Sequence, residues 1–337
     1  MTTKVAIIGG GIIGCLTAIK LKESGFEVTI VDKNEIGKES SWAGAGILFP
    51  LMPWIYPSEV YDLCLNSAEF YKEFSKKLFK VTGIDPEFDR TGMMIIPPYD
   101  LIKINKWASK HQYKIEDVDF HKSTALLMPL VAQIRSPRLM KAIKKYLIHQ
   151  EIKIIENIEL CPIKNSAKLI NEWPTKDNNL IKADYFIVTS GAWVSMIKPK
   201  YTNKIYPVRG QMIQYKASEL KINHILYSDD FYILQRKDGV IIAGSTVEEV
   251  GFDDKITIES IDYLKKKSES LIPELKNIIV ENHWSGFRPG SKNNIPIIRK
   301  DDEFENIFIN SGHFRYGLTM APKSAEIINN LLVKSQL

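Results

Sequence analysis

Apolar positions follow two periods along this chain, and each change of period marks a new element. Val5-Ala6-Ile7-Ile8 is an unbroken apolar run of the kind a strand buried on both faces carries. Gly9-Gly10-Gly11-Ile12-Ile13-Gly14 follows at once, and Leu16, Ile19 and Leu21 then recur at helical spacing as far as Ser24. Past Gly25 a second strand, Glu27 to Val31, ends on Asp32. Strand, turn, helix and strand in this order make one half of a parallel βαβ sheet. Residues 60–81 keep helical spacing, with Leu63, Phe70, Phe74 and Leu78 on one face, and predict a single long helix. Strands are expected between 85 and 98, a helix over 101–111, and another over 138–150. Further strands are expected over 152–160 and 183–189, the latter leading into the small-residue turn Ser190-Gly191-Ala192-Trp193.

From residue 207 the period shortens. Gln211 to Tyr215, Phe231 to Gln235 and Val240 to Gly244 alternate as an antiparallel sheet does, with Lys237-Asp238-Gly239 joining the last two. A helical stretch over 258–275 is interrupted at Pro273. Near the end, Ile307 to Asn310 reads as a strand and Ser311 to Thr319 as a glycine-rich turn. Pro322 suits the first position of a helix running to about Leu332. The fold class expected is α/β: a Rossmann-like dinucleotide-binding domain with a second domain built on an antiparallel sheet.

Composition narrows this reading. A chain of 337 residues exceeds the size at which one core keeps growing. Its formal net charge is only +5, and its densest basic run, Lys265-Lys266-Lys267, lies on a helical pattern as a solvated face, so nothing calls for nucleic acid. Apolar runs stop near ten residues, short of the ~20 a membrane helix needs, and the first strand begins too early for a signal peptide. The expectation is a cytoplasmic protein with no membrane partner. Cys15, Cys64 and Cys161 lack metal-ligand spacing and are expected to be small buried residues; no metal is expected.

The chemistry concentrates in the turns. Gly9 suits the tight bend, Gly11 lets backbone approach a pyrophosphate, and Gly14 allows close packing of helix on strand, while the helix N-terminus supplies N–H groups. Asp32 stands where a ribose acceptor is needed. Ser40-Ser41-Trp42-Ala43-Gly44-Ala45-Gly46 is a small-residue segment suited to lie along phosphates and a flat ring. The fork of Arg288 can hold a planar carboxylate with two parallel bonds, although an arginine before Pro-Gly, taken alone, reads as a structural ion-pair partner. Taken alone, Tyr232 reads as a half-buried strand aromatic, His313 as a packing histidine, and Met93, Met94 and Trp107 as core.

Taken together, Gly9 to Gly14, Glu39 to Gly46, Tyr206-Pro207-Val208-Arg209-Gly210-Gln211-Met212, Tyr232 to Gly244, Trp284 to Gly290 and Gly312 to Gly317 carry a resemblance. The chain resembles the glycine-oxidase branch, of thiamine biosynthesis, in the D-amino-acid oxidase family of flavoproteins, from residue 4 to about 332. The resemblance implies FAD held non-covalently. The related sarcosine oxidases attach flavin through a late cysteine, and no cysteine follows Cys161. It implies cofactor-binding segments 1–84, 131–205 and 283–337, with 85–130 and 206–282 covering the substrate.

Carried over by position, Gly9, Gly11, Ile12, Ile13 and Gly14 fall at the pyrophosphate, and Asp32 and Lys33 at the ribose. Ser40, Ser41, Ala45, Gly46 and Ile47 fall along the phosphates and the flavin ring, and Leu160 at the adenine. His313, Phe314, Arg315, Tyr316, Gly317, Leu318 and Thr319 fall at the pyrimidine end. Arg288, Arg315 and Tyr232 are the implied substrate residues. Asp230 stands where some members carry a histidine. The implied reaction is hydride transfer from the α-carbon of glycine, sarcosine or a small D-amino acid to flavin N5. It yields an imine or glyoxylate, ammonia and, with molecular oxygen, hydrogen peroxide. A thiazole synthase partner and a homo-oligomer are left open. So are two other flavoenzyme readings, a D-amino-acid dehydrogenase passing electrons to a quinone and a tRNA-modifying flavin oxidase, and that of a cofactor-binding regulator.

Overall fold

The computed structural model describes residues 2–121, 123–163 and 168–336. Lys4–Ile8 lies between Glu27–Val31 and Tyr185–Val188, parallel to both, and each of these carries the apolar residues that burial on two faces requires. Ile307–Ser311 and Lys153–Ile155 extend the parallel sheet, and Ile297–Lys300 closes it as an antiparallel edge, six strands in all. Helix Ile12–Glu23 is buried over Ile12 to Ile19 and at Leu21. One sheet face meets it through Val5, Ile7, Val28 and Ile30, and helix Gly317–Lys334 joins the same core through Ala321, Ala325, Ile328 and Leu332. Ala6, Ile8, Val31, Phe186 and Val188 turn to the opposite face and pack around Trp173 and Tyr201. Because these strands run parallel, Gly9, Asp32, Thr189 and Gly312 all emerge at one sheet edge, where α/β sheets collect their ligands.

A second sheet of eight strands stands over that edge. Its longest members, Ile205–Lys216 and Val280–Ser291, pair antiparallel along most of their length. Val240–Gly244, Phe231–Gln235 and Ile225–Ser228 continue it antiparallel; Met93–Ile95 joins parallel, and Ser123–Met128 and Glu116–Phe120 form the far edge. Ile213, Tyr215, Phe231, Ile233, Ile241 and Ala243 pack on helix Ile258–Leu271. Met212, Tyr232, Leu234 and Ile242 face the other way, toward Ala45, Leu51, Tyr316 and Met320. The strand period of two therefore sends Tyr232 into the space between the sheets.

Several sequence expectations need correction. The helix expected over 60–81 is two, Ser58–Cys64 and Ser67–Thr82, broken where Asn66 takes φ 59°. Phe70, expected on the buried face, is 38% exposed, and Tyr71 is buried in its place. Pro322 does not begin the last helix, which starts at Gly317 and runs through it. A proline inside a helix leaves the carbonyl four residues back without its donor. Here that carbonyl is Leu318 O, and the Tyr71 hydroxyl donates to it at 2.8 Å. The strand expected over 152–160 is confined to Lys153–Ile155. Met93, Met94 and Trp107 are core as expected, and Cys15 and Cys64 are buried, whereas Cys161 is only half-buried.

Candidate functional site

A single elongated cavity runs from the glycine turn, across the edge of the first sheet, to the inward face of the second. Gly9, Gly11, Ile12, Ile13, Asp32, Lys33, Ser40, Ser41, Ala45, Gly46, Ile47, Leu160, Tyr232, Arg288, His313, Phe314, Arg315, Tyr316, Gly317 and Leu318 all line it. Two expected residues do not. Gly14 lies beneath, where a Cβ would stand 1.9 Å from Gly9 O, and Thr319 turns its hydroxyl toward Ile47 O at 3.3 Å. Both support the wall from behind.

At the sheet-edge end, Gly9 takes φ +110°, a backbone conformation that favours glycine. Gly11 is ordinary in conformation, and a Cβ there would meet only Ser41 Oγ, at 3.2 Å, so its missing side chain leaves room. Ser41 Oγ accepts a bond from Ile12 N at 2.9 Å, and Ser40 Oγ donates to Phe287 O. The Asp32 carboxylate accepts from Gly10 N at 2.6 Å and from Asn34 N at 2.9 Å; burial outweighs those bonds and raises its pKa. Lys33 Nζ sits 3.8 Å above the Trp193 ring.

At the far end Arg288 is half-buried and extends over Gly210, where any Cβ would fall 2.2 Å from its Nη atoms. Its Nη2 donates to Ser245 Oγ at 2.6 Å and its Nη1 to Thr246 O at 3.1 Å. Among the described residues no acidic side chain forms an ion pair with it. Burial lowers its pKa to about 10, which leaves it charged at neutral pH. The Tyr232 hydroxyl lies 3.5 Å from Met212 Sδ and beside the Ser245 hydroxyl. Arg315 is committed differently: Nη1 and Nη2 donate to the two carboxylate oxygens of Asp230 at 2.6 and 2.7 Å. His313 bonds Ser324 Oγ at 2.9 Å, and burial lowers its pKa to about 3, so at neutral pH it is an uncharged wall residue.

Four contributors were not singled out in the sequence. Ser245 and Thr246 hold Arg288, Gly210 makes room for it, and Arg236 reaches across to Ala45 O at 2.7 Å and Gln133 Oε1 at 2.7 Å. Thr246 is itself fixed by a buried network in which Glu248 accepts from Arg209 and Gln211. The only signal was the glycine following Arg209, since serine and threonine after a strand read as an ordinary turn.

The cavity fits a dinucleotide on the chemistry of its walls. Ser190 Oγ, Asn310 Oδ1 and Arg315 Nε are buried polar atoms without a partner, on residues that line it. Native structures seldom leave such atoms unpaired, so they mark where a polar ligand belongs. Helices Ile12–Glu23 and Gly317–Lys334 both begin at the cavity, and neither N-cap residue bonds its own helix; Ser41 Oγ accepts from Ile12 N, and the remaining first-turn N–H groups are directed at the cavity. Among the described residues no group of side chains could hold a metal ion, and no helix is long and apolar enough to cross a membrane.

Comparison with known proteins agrees with this geometry. Residues 4–331 match the sequence model of the family described as FAD dependent oxidoreductase. The chain is 33% identical to a glycine oxidase of Pseudomonas putida, over 100% of this chain and 96% of that protein. It is 26% identical to a bifunctional ThiO/ThiG protein of Synechocystis, covering all of this chain but 52% of that longer protein. Its fold superposes on the crystal structure of glycine oxidase from Bacillus cereus with a TM-score of 0.89, at 23% identity, covering 100% of this chain and 96% of that one.

Proposed function

We propose, from the premise that this chain belongs to the FAD-dependent oxidoreductase family, that it oxidises glycine and similarly small amino acids. It is an FAD-dependent amino-acid oxidase of the glycine-oxidase type. The observation carrying the substrate assignment is Arg288, a cavity guanidinium with no carboxylate of its own. A partly desolvated cation without a counter-charge is costly, and a substrate carboxylate removes that cost while gaining a charge-assisted pair.

Gly9, Gly11, Ile12, Ile13, Asp32, Lys33, Ser40, Ser41, Ala45, Gly46 and Ile47 would hold the cofactor's nucleotide and central portions, with Leu160 at the adenine. The segment from His313 to Leu318, with the first turn of the last helix, would hold its pyrimidine end. When bound, FAD supplies the two-electron acceptor for the hydrogen that leaves the α-carbon with its bonding pair. The chain's part is positioning: Arg288 anchors the carboxylate, the Tyr232 hydroxyl donates to the same group, and the α-carbon is thereby fixed. No described residue need act as a base if the amine enters neutral, and His313 with a pKa near 3 is too weak for that role. The N–H groups and positive end of helix Gly317–Lys334 would favour negative charge collecting beside them. None of the three cysteines lines the cavity, which supports non-covalent attachment.

The products of this reading are the imine or glyoxylate, ammonia and hydrogen peroxide, with molecular oxygen as final acceptor. Its destination would be thiazole synthesis, and the joined protein of Synechocystis supports a thiazole synthase partner. The division into cofactor-binding segments 1–84, 131–205 and 283–337 and substrate-covering segments 85–130 and 206–282 belongs to the same proposal. Strand Val280–Ser291 runs unbroken through the boundary at 283, within the second sheet. The test is anaerobic bleaching of bound flavin by glycine, sarcosine and D- and L-amino acids, followed by peroxide measurement in air. Bleaching by glycine is expected; a flavin that no small amino acid bleaches would overturn the reading.

A further inference from the structure

Asp230 lies at the tip of the hairpin joining Ile225–Ser228 to Phe231–Gln235, where it and Asp229 both take positive φ, 64° and 46°. It is two residues before Tyr232, in the turn that leads into that strand, and although it does not itself line the cavity, the hairpin that brings the tyrosine there brings this carboxylate to Arg315, which does. There Asp230 meets Arg315 in a bidentate pair at 2.6 and 2.7 Å and accepts the Tyr227 hydroxyl at 3.0 Å. The two partners differ in position. The Asp230 side chain is 57% exposed and that of Arg315 14%, which puts the carboxylate outside and the guanidinium inside. Burial opposes ionisation of Asp230, but the bonds from Arg315 hold its pKa below the usual carboxylate value.

Among the described residues, Arg315 is thus paired with a carboxylate and Arg288, the other arginine lining the cavity, is not. The Asp230–Arg315 pair is neutral, which leaves Arg288 as the lining cation at this end for a substrate carboxylate to neutralise. A second carboxylate on the substrate would find both Nη atoms of Arg315 already held by Asp230 and would lie near that carboxylate, a like charge.

We propose that Asp230 is a specificity-determining residue: by occupying Arg315 it restricts the site to substrates with one carboxylate and turns away dicarboxylic amino acids. This rests on the reading of the cavity as an amino-acid site. Asp230→Asn is the informative change, because asparagine tolerates positive φ and can still accept from Tyr227, while the charge is lost. Asp230→Glu keeps the charge and serves as the conservative control.

The experiment titrates acetate and malonate, which differ by one carboxylate, into the oxidised FAD-loaded protein and follows the flavin absorbance. The parent should prefer acetate. The malonate-to-acetate affinity ratio should rise about tenfold or more in Asp230→Asn and stay within about threefold of the parent in Asp230→Glu. In turnover, the kcat/KM ratio of iminodiacetate to sarcosine, again one carboxylate apart, should move the same way. A parent that shows no preference for acetate, or an Asp230→Asn ratio within threefold of the parent's, would overturn the proposal. Neither anion titration depends on turnover, so failure of glycine to bleach the flavin would count against the enzymatic reading separately.

Discussion

Arg288 extends through the space left by a missing side chain. A methyl group at residue 210 would stand 2.2 Å from both of its Nη atoms, so Gly210→Ala must push the guanidinium aside. Because a flexible side-chain end can yield, the fold should survive while substrate capture suffers. The expected outcome is a KM for glycine raised on the order of tenfold, with thermal stability near the parent's. Steady-state kinetics beside a melting curve checks it, and an unchanged KM would contradict this placement of Arg288. Tyr232→Phe removes one neutral hydrogen bond and should cost about 1 kcal/mol, roughly fivefold in kcat/KM. His313 gives a prediction in pH. Its folded pKa of about 3 lies below the ordinary 6.5, so between those values the unfolded chain binds a proton that the folded chain does not. Its contribution is full above pH 6.5 and is lost as pH falls, by about 1.4 kcal/mol per unit. Paired carboxylates such as Asp301 and Glu248, whose pKa values are lowered, slope the same way. The test is therefore a difference: urea unfolding of His313→Asn between pH 6 and 4 should lack about one proton of the parent's slope, and equal slopes would contradict it.

Helix Gly317–Lys334 shows what an element needs beyond its own sequence. Pro322 within it is tolerated because Tyr71, on helix Ser67–Thr82, supplies the donor that Leu318 O lacks. Tyr71→Phe would leave a carbonyl unpaired beside the cavity, at about 1–3 kcal/mol. Chemical denaturation should register that loss, and flavin affinity should weaken with it; stability within 0.5 kcal/mol of the parent, the usual range for a neutral surface change, would contradict the assignment. The same helix marks the limit of sequence reading. Proline at its sixth position looks like a beginning until the distant tyrosine is known. Asn66 broke a helix whose apolar spacing ran on past it, since asparagine accepts positive φ at little cost. The hairpin Glu116–Phe120 and Ser123–Met128 went unrecognised because its outer strand is a sheet edge with three acidic residues, Glu116, Asp117 and Asp119, and only Val118 and Phe120 alternating with them, too short a pattern to read as a strand. By contrast Lys4–Ile8, Glu27–Val31 and Phe231–Gln235 paired with Val240–Gly244 were legible, because burial of their side chains dictates their pattern. The Asp230–Arg315 pair was not, since its members lie 85 residues apart and meet only when the sheets do.

The cavity is lined from both large sheets. The parallel sheet brings Gly9, Asp32, Thr189 and Gly312 to one edge, and the eight-stranded sheet places Tyr232 and Arg288 over it. Cofactor holding and substrate holding should therefore separate under mutation. Gly11→Val, on the first side, puts a side chain into the cavity beside Ser41 and should yield folded protein poor in FAD, seen as a loss of yellow colour. Arg288→Ala, on the second, should keep its FAD and lose its substrate. The loss of a charge-assisted contact in a desolvated site costs about 2–5 kcal/mol, or roughly thirty- to several-thousand-fold. Arg288→Lys should recover only part of it, because a point charge does not copy the fork. The decisive measurement is the anaerobic rate of flavin bleaching by glycine in parent and Arg288→Ala at equal FAD content. A fall in the apparent second-order rate constant of at least about thirtyfold is predicted; a rate within about threefold of the parent's, less than 1 kcal/mol on the same scale, would mean that the carboxylate is held elsewhere.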